Sequence, residues 1–202
     1  MLDWIIGLDK ELFLFLNGIN SPLWDRIMWL ISGKFTWIPL YVILLVGIIY
    51  SDLSARSIVI TILFILVTVL LCDQISVLLK NFIGRLRPSH DPTLHNLVHI
   101  VNDYRGGKYG FVSSHAANVF GVAVFSTNQL KSGTWSFILI VWAIIVSYSR
   151  IYLGVHFPLD IIFGAILGTM IGIHMYVAKA WLLAYIDIQI KTRKNRQKRR
   201  EI

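Results

Sequence analysis

One cysteine in 202 residues, Cys72, excludes an intrachain disulfide. Charge is scarce as well. Asp, Glu, Lys and Arg make up 15% of the chain against 56% hydrophobic residues, and a mean hydropathy of +0.67 excludes an ordinary soluble domain. The opening "MLDWIIGLDKELFLFLNG" lacks a basic n-region and a small-residue cleavage site, so it is not expected to be a secretory signal peptide and should stay on the mature protein. No internal repeat, low-complexity linker or composition break marks off a second domain.

What the chain has instead is long apolar runs, near residues 37–50, 58–79, 116–125, 135–146 and 161–185. With their flanks most of them approach the ~17–25 residues that cross a bilayer, the third and fourth only marginally. The expected fold is all-α: a multipass helical membrane bundle of five to six transmembrane helices. Trp4, Ile5, Leu8, Leu12 and Phe15 recur at helical spacing while Asp9, Lys10 and Glu11 interrupt them, a pattern that suits an amphipathic helix in the membrane interface. A sixth span would come from this segment or from 23–32. Three segments are therefore expected: interfacial helices over 1–34, a catalytic bundle over 35–185 and a basic tail over 186–202.

The tail holds Lys191, Arg193, Lys194, Arg196, Lys198, Arg199 and Arg200, so most of the net charge of +8 is a property of the last dozen positions. A basic run after a hydrophobic span reads as a cytoplasmic anchor rather than a nucleic-acid site, because loops on the inner side carry the excess of Lys and Arg. Counting spans back from it places the Lys80–Gly110 segment and the Tyr152–His156 turn on the outer face of the cytoplasmic membrane.

Three polar stretches gather at that face. In "SRIYLGVHFPLD", His156 and Asp160 are four residues apart, and a helix beginning near Phe157 puts them on adjacent turns. The aspartate can fix one tautomer of the imidazole and leave the other nitrogen with a free lone pair, as a nucleophile or base requires; taken in isolation, the pair reads first as a helix cap. Arg150 is costly at the margin of a bilayer unless it is paired or binds an anion. In "KNFIGRLRP", Lys80 and Arg87 are two helical turns apart, a phosphate fork and a point charge or a grip on lipid headgroups. In "VSSHAANVFG", Ser113 or Ser114 can cap a helix whose free N–H groups bind anions, with His115 in its first turn. Together, three cations, a helix start and two histidines form the inventory of metal-free phosphoryl transfer: charge stabilisation on the equatorial oxygens, one imidazole attacking phosphorus, the other protonating the leaving oxygen.

These stretches resemble the type 2 phosphatidic acid phosphatase family, the membrane lipid phosphate phosphatases that share a core with vanadium haloperoxidases and glucose-6-phosphatase. The family's Lys-x6-Arg-Pro motif is matched by Lys80, Arg87 and Pro88, and its Ser-Arg-x5-His-x3-Asp motif by Ser149, Arg150, His156 and Asp160. Its Pro-Ser-Gly-His motif is matched at Ser113 and His115 but not at Val112 and Ser114; the backbone N–H survives at Ser114, so activity is expected to survive too. The resemblance covers residues 35–180 or so.

The resemblance implies His156 as the nucleophile forming a phosphohistidine, Asp160 as its orienter, His115 as the general acid, and Lys80, Arg87, Arg150, Ser113 and the Ser114 amide as phosphate ligands, with no metal or other cofactor. The substrate class implied is an amphiphilic lipid phosphate held in the bilayer, with undecaprenyl diphosphate first, then phosphatidylglycerophosphate and the lipid A 1-phosphate. The competing readings are transfer of phosphate to a second lipid, and headgroup binding or transport without catalysis. His90, His95 and His99 occupy the loop after Arg87, and the last two are spaced for a shared metal but lack clustered carboxylates or cysteines. Asp73, two turns before Lys80, is expected as a buried polar partner between helices, with an intramembrane relay as the alternative. Tyr104, Arg105 and Lys108 are candidates for headgroup recognition. Gly164, Gly168 and Gly172 continue the four-residue step from Asp160 and predict close helix packing.

Overall fold

The computed structural model describes residues 2–33, 35–51, 54–94 and 96–198. Among these there are seven α-helices: α1 (Leu2–Gly18), α2 (Pro22–Ser32), α3 (Ile38–Ser51), α4 (Ala55–Ile83), α5 (Ser114–Leu130), α6 (Gly133–Tyr152) and α7 (Pro158–Lys198). Between α4 and α5, the described residues hold two short 3-10 turns, Pro88–His90 and Pro92–Leu94, and one isolated antiparallel bridge between Leu86 and Tyr109. The fold is all-α, as the apolar runs require.

The bundle is built around α5, which packs against α3, α4, α6 and α7. Ala116, Ala117, Val119, Val122, Ala123 and Phe125 are buried on it. Small residues let its neighbours approach. A Cβ added at Gly164 or Gly172 would lie 2.6 Å from the carbonyl oxygens of Ser113 and Gly121, and one at Gly168 would run into the Ala117 carbonyl. The stepped glycines therefore set the α5–α7 distance by direct backbone contact.

Around this centre the outer faces are apolar. Leu63, Leu66 and Leu70 of α4, Phe137 of α6 and Ile162, Ile166 and Met170 of α7 are all exposed. In water such a belt would be an aggregation liability; against hydrocarbon it is the expected surface of a membrane protein. Among the described residues α4, α6 and α7 are long and apolar enough to cross a bilayer. The expected third and fourth spans differ: α6 reaches 20 residues, whereas α5 has 17 and α3 has 14. Enclosed by its neighbours, α5 needs no long lipid-facing run. The long last helix continues without a break through the basic segment to Lys198; Arg199, Arg200 and Glu201 lie outside the described residues.

The N-terminal helix α1 docks by its polar side. Trp4, Leu8, Leu12 and Phe15 face outward, while Asp9, Phe13 and Asn17, each four residues on from the last, are buried against the bundle. The Asn17 amide donates to the carbonyls of His99 (3.0 Å), Ile151 (3.2 Å) and Tyr152 (2.8 Å), and its oxygen accepts from His99 N (2.7 Å). In α2, Asp25 Oδ1 takes the Tyr152 hydroxyl at 2.6 Å and lies 2.8 Å from His99 Nε2. Both helices thus brace the α6–α7 turn.

Candidate active site

Four helix ends meet at one end of the bundle: the C-termini of α4 and α6 and the N-termini of α5 and α7. Residues 80 to 160 are brought together there around a cavity of about 530 Å³, lined by Lys80, Arg87, Ser114, His115, Arg150 and His156 among others. All eight residues singled out from sequence lie at this end.

His156 sits in the short connection between α6 and α7, 1% exposed. Its Nδ1 is 3.3 Å from Asp160 Oδ2, and the same carboxylate oxygen accepts from the Phe157 amide at 3.0 Å. The cap and the histidine partner are therefore one group. The other ring nitrogen, Nε2, faces Arg87 Nη1 at 3.3 Å. Burial, and then the charges of Arg87, Arg150 and Lys80, push the His156 imidazole well below its ordinary pKa, which favours the neutral ring. A neutral ring with Nδ1 at a carboxylate presents the Nε2 lone pair to the cations.

Arg87 is fixed by the Leu86–Tyr109 bridge. Its backbone N–H donates to Lys108 O (3.1 Å), and its guanidinium donates to the carbonyls of Tyr109 (3.1 Å) and Val155 (3.3 Å). Gly106, at φ +66°, lets the loop pass beside it: a Cβ there would be 2.7 Å from Nη1. Burial, and then the Arg150 charge, lower the Arg87 pKa. Arg150 is 3% exposed, donates to Ser32 of α2 and to the Tyr104 hydroxyl (3.2 Å), and keeps a buried Nε–H without an acceptor. Among the described residues no carboxylate lies between these two guanidinium groups, an arrangement suited to an anion.

Ser113 is the N-cap of α5, its hydroxyl accepting from Ala116 N at 3.4 Å. Ser114, where the family motif has glycine, turns its hydroxyl toward α4: Ser76 Oγ is 2.6 Å away and the Lys80 ammonium donates to it. His115 lines the cavity beside them.

Several contributors were not visible in the sequence. Ser32 and Ser76 carry no signal of their own. Arg85, in the unspecified stretch of the motif between Lys80 and Arg87, donates to Asp160 Oδ1 (2.9 Å) and to Asp9 Oδ2 (2.5 Å). A charged residue just past the end of a membrane helix requires a partner, and Arg85 finds one in α7 and one in α1. Asp73, half-buried, lines the cavity, and among the described residues its carboxylate has no hydrogen bond to another helix. His99 pairs with Asp25, and His95 lies outside the described residues. Of the loop candidates, Tyr104 reaches the site, while Arg105 donates to Ser89 O at 3.1 Å and Lys108 sits over the Tyr109 ring.

Residues 59–183, which hold all eight of these side chains, match the PAP2 superfamily. The chain belongs to the PAP2 superfamily. Two PAP2 relatives are each named lipid A 4'-phosphatase. That of Porphyromonas gingivalis is 37% identical over 191 residues, covering 90% of this chain and 79% of its own, and that of Bacteroides thetaiotaomicron is 36% identical over 195 residues, covering 96% and 83%. Among solved structures, LpxE of Aquifex aeolicus superposes with a TM-score of 0.65 at 25% identity, covering 83% of this chain and 94% of that one. The protein is a membrane-embedded lipid phosphatase of this superfamily.

Proposed function

We propose that this phosphatase removes a phosphate monoester from a sugar-based membrane lipid of the lipid A type, by a metal-independent phosphohistidine mechanism. The observation that carries the reading is the buried His156 ring set with Nδ1 at the Asp160 carboxylate and Nε2 facing the Arg87 guanidinium. His156 Nε2 attacks phosphorus as the bond from phosphorus to the sugar oxygen breaks, and His115 gives that oxygen its proton. Lys80, Arg87, Arg150, Ser113 and the Ser114 amide hold the three equatorial oxygens, whose charge grows in the transition state. Water, deprotonated by His115, then attacks the phosphohistidine; the P–N bond breaks, inorganic phosphate leaves and His156 is restored. The family resemblance puts undecaprenyl diphosphate first; the two relatives named lipid A 4'-phosphatase move the weight to lipid A.

The site faces the outer side of the cytoplasmic membrane, with the basic end of α7 inside. An impermeant thiol reagent on a cysteine introduced at Leu97, an exposed loop position, reads the side directly: labelling in intact cells with a permeabilised outer membrane is expected, and protection until lysis would place the site in the cytoplasm.

The reaction is tested on the purified chain with EDTA, by phosphate release from bis-phosphorylated lipid A, undecaprenyl diphosphate, phosphatidylglycerophosphate and phosphatidic acid, beside His156→Ala. Release from lipid A in the wild type and none in the variant is expected. Release that survives in His156→Ala removes it as nucleophile, release that stops with EDTA removes metal independence, and preference for another lipid renames the substrate.

A further inference from the structure

Arg85 approaches the His156–Asp160 pair from behind. It does not line the main cavity; with Ile5, Ile6, Lys10, Phe157 and Leu159 it lines a separate groove between α1 and the start of α7. Its guanidinium lies 4.3 Å from the centre of the Phe157 ring. One arm of the fork donates to Asp160 Oδ1 (2.9 Å) and the other to Asp9 Oδ2 (2.5 Å), while Asp9 Oδ1 accepts from Leu159 N at 2.9 Å. Asp160 is fully buried and Asp9 is 4% exposed. Each oxygen of Asp160 is thereby used: Oδ1 by Arg85, Oδ2 by His156 and the Phe157 amide.

Resting on the proposed His156 chemistry, we propose that Arg85 is a positioning residue: its planar fork fixes Asp160 against the nucleophile, and Asp9 of the N-terminal helix fixes the fork. A carboxylate kept from water needs its lone pairs satisfied, and an Asp160 free to turn would lose Oδ2 from Nδ1 and release the ring. Rigid, bidentate geometry is what arginine supplies and lysine does not. Asp9 lies outside residues 59–183, so α1 supplies an outer support to the catalytic pair from beyond the matched region.

The test uses the full chain in detergent, with ¹⁵N-histidine labelling, His156→Ala assigning the His156 Nδ1–H resonance by difference, and phosphate release from bis-phosphorylated lipid A in parallel. Arg85→Gln is expected to lower kcat by about 10- to 100-fold with KM within about twofold, as loss of an orienting partner does. Arg85→Lys and Asp9→Asn should fall between it and the wild type, and the His156 Nδ1–H signal should shift or broaden in all three. Glu11→Gln, exposed on the same helix, should change neither. Should Arg85→Gln fail to fold, Asp9→Asn, which keeps size and shape, carries the test. Unchanged kcat in Asp9→Asn and Arg85→Lys, or a resonance unmoved in the folded variants, overturns the assignment. If the wild type releases phosphate from no lipid, the proposed reaction fails, and the resonance alone decides the network.

Discussion

Ser114 Oγ accepts a hydrogen bond from the Lys80 ammonium, and the two join α5 to α4 at the rim of the cavity. The family glycine could not do this, so the departure at Ser114 is a tether for a flexible cation. Ser114→Gly should stay active, with KM raised up to about tenfold by the loss of one charge-assisted bond and kcat changed little. Steady-state kinetics on lipid A check it, and an inactive glycine variant would show that the hydroxyl has a further role.

The α5–α7 contact leaves no room for a methyl group at Gly168. Gly168→Ala is expected to cost about 1–3 kcal/mol by overpacking and to move the α7 start away from Ser113. Thermal unfolding should show a lower Tm and activity should fall with it. A variant of wild-type stability would mean that the helices separate freely.

His156 also predicts how stability depends on pH. Its folded pKa lies below the ordinary 6.5, so below that pH the unfolded chain binds a proton that the folded one refuses. Stability should therefore fall as the medium is acidified from pH 7 to 5, by up to about 1.4 kcal/mol per unit from this residue. His156→Gln should lose less over the same range. Denaturant unfolding at the two pH values measures the difference, and parallel losses would mean that the ring is already charged in the fold.

Asn118 follows His115 by one helical turn and lines the same cavity, its Oδ1 buried without a donor; Asp73 lines it from α4. An apolar groove with Leu44, Ile48, Ile65 and Val122 begins at Asn118. A leaving group passing His115 thus meets acceptors before it meets oil, which suits a sugar with hydroxyl and amide donors. Asn118→Ala should lower kcat/KM for lipid A about tenfold, the cost of one lost hydrogen bond, and spare undecaprenyl diphosphate. Equal losses on both would deny the selectivity.

The residues Lys80, Arg87, Arg150, His156 and Asp160 were legible from their motif spacing, but the expected shared helix face of Lys80 and Arg87 is corrected: α4 ends at Ile83, Gly84 caps it in the left-handed region, and Arg87 reaches the site from the extended loop beyond. The capping serine was legible too, since few side chains can close a helix start. The docking of α1 was not. An apolar stripe is ordinarily the side that meets the protein, but where lipid is the solvent Trp4, Leu8, Leu12 and Phe15 turn away, and Asp9, Phe13 and Asn17 meet the bundle. Arg85 stayed hidden for a related reason: its partners come from positions 9 and 160, and no local pattern joins them.

That pairing imposes an order on biogenesis. Asp9 leaves the ribosome first, Arg85 only after α4 has been made, and the Leu159 amide with the last helix. A chain that stopped before α7 would keep the Asn17 contacts to α6 and the Arg85–Asp9 pair, but would lack both the Leu159 amide and the Asp160 carboxylate that complete the clasp, so the first helix meets its full set of partners only when the last is in place.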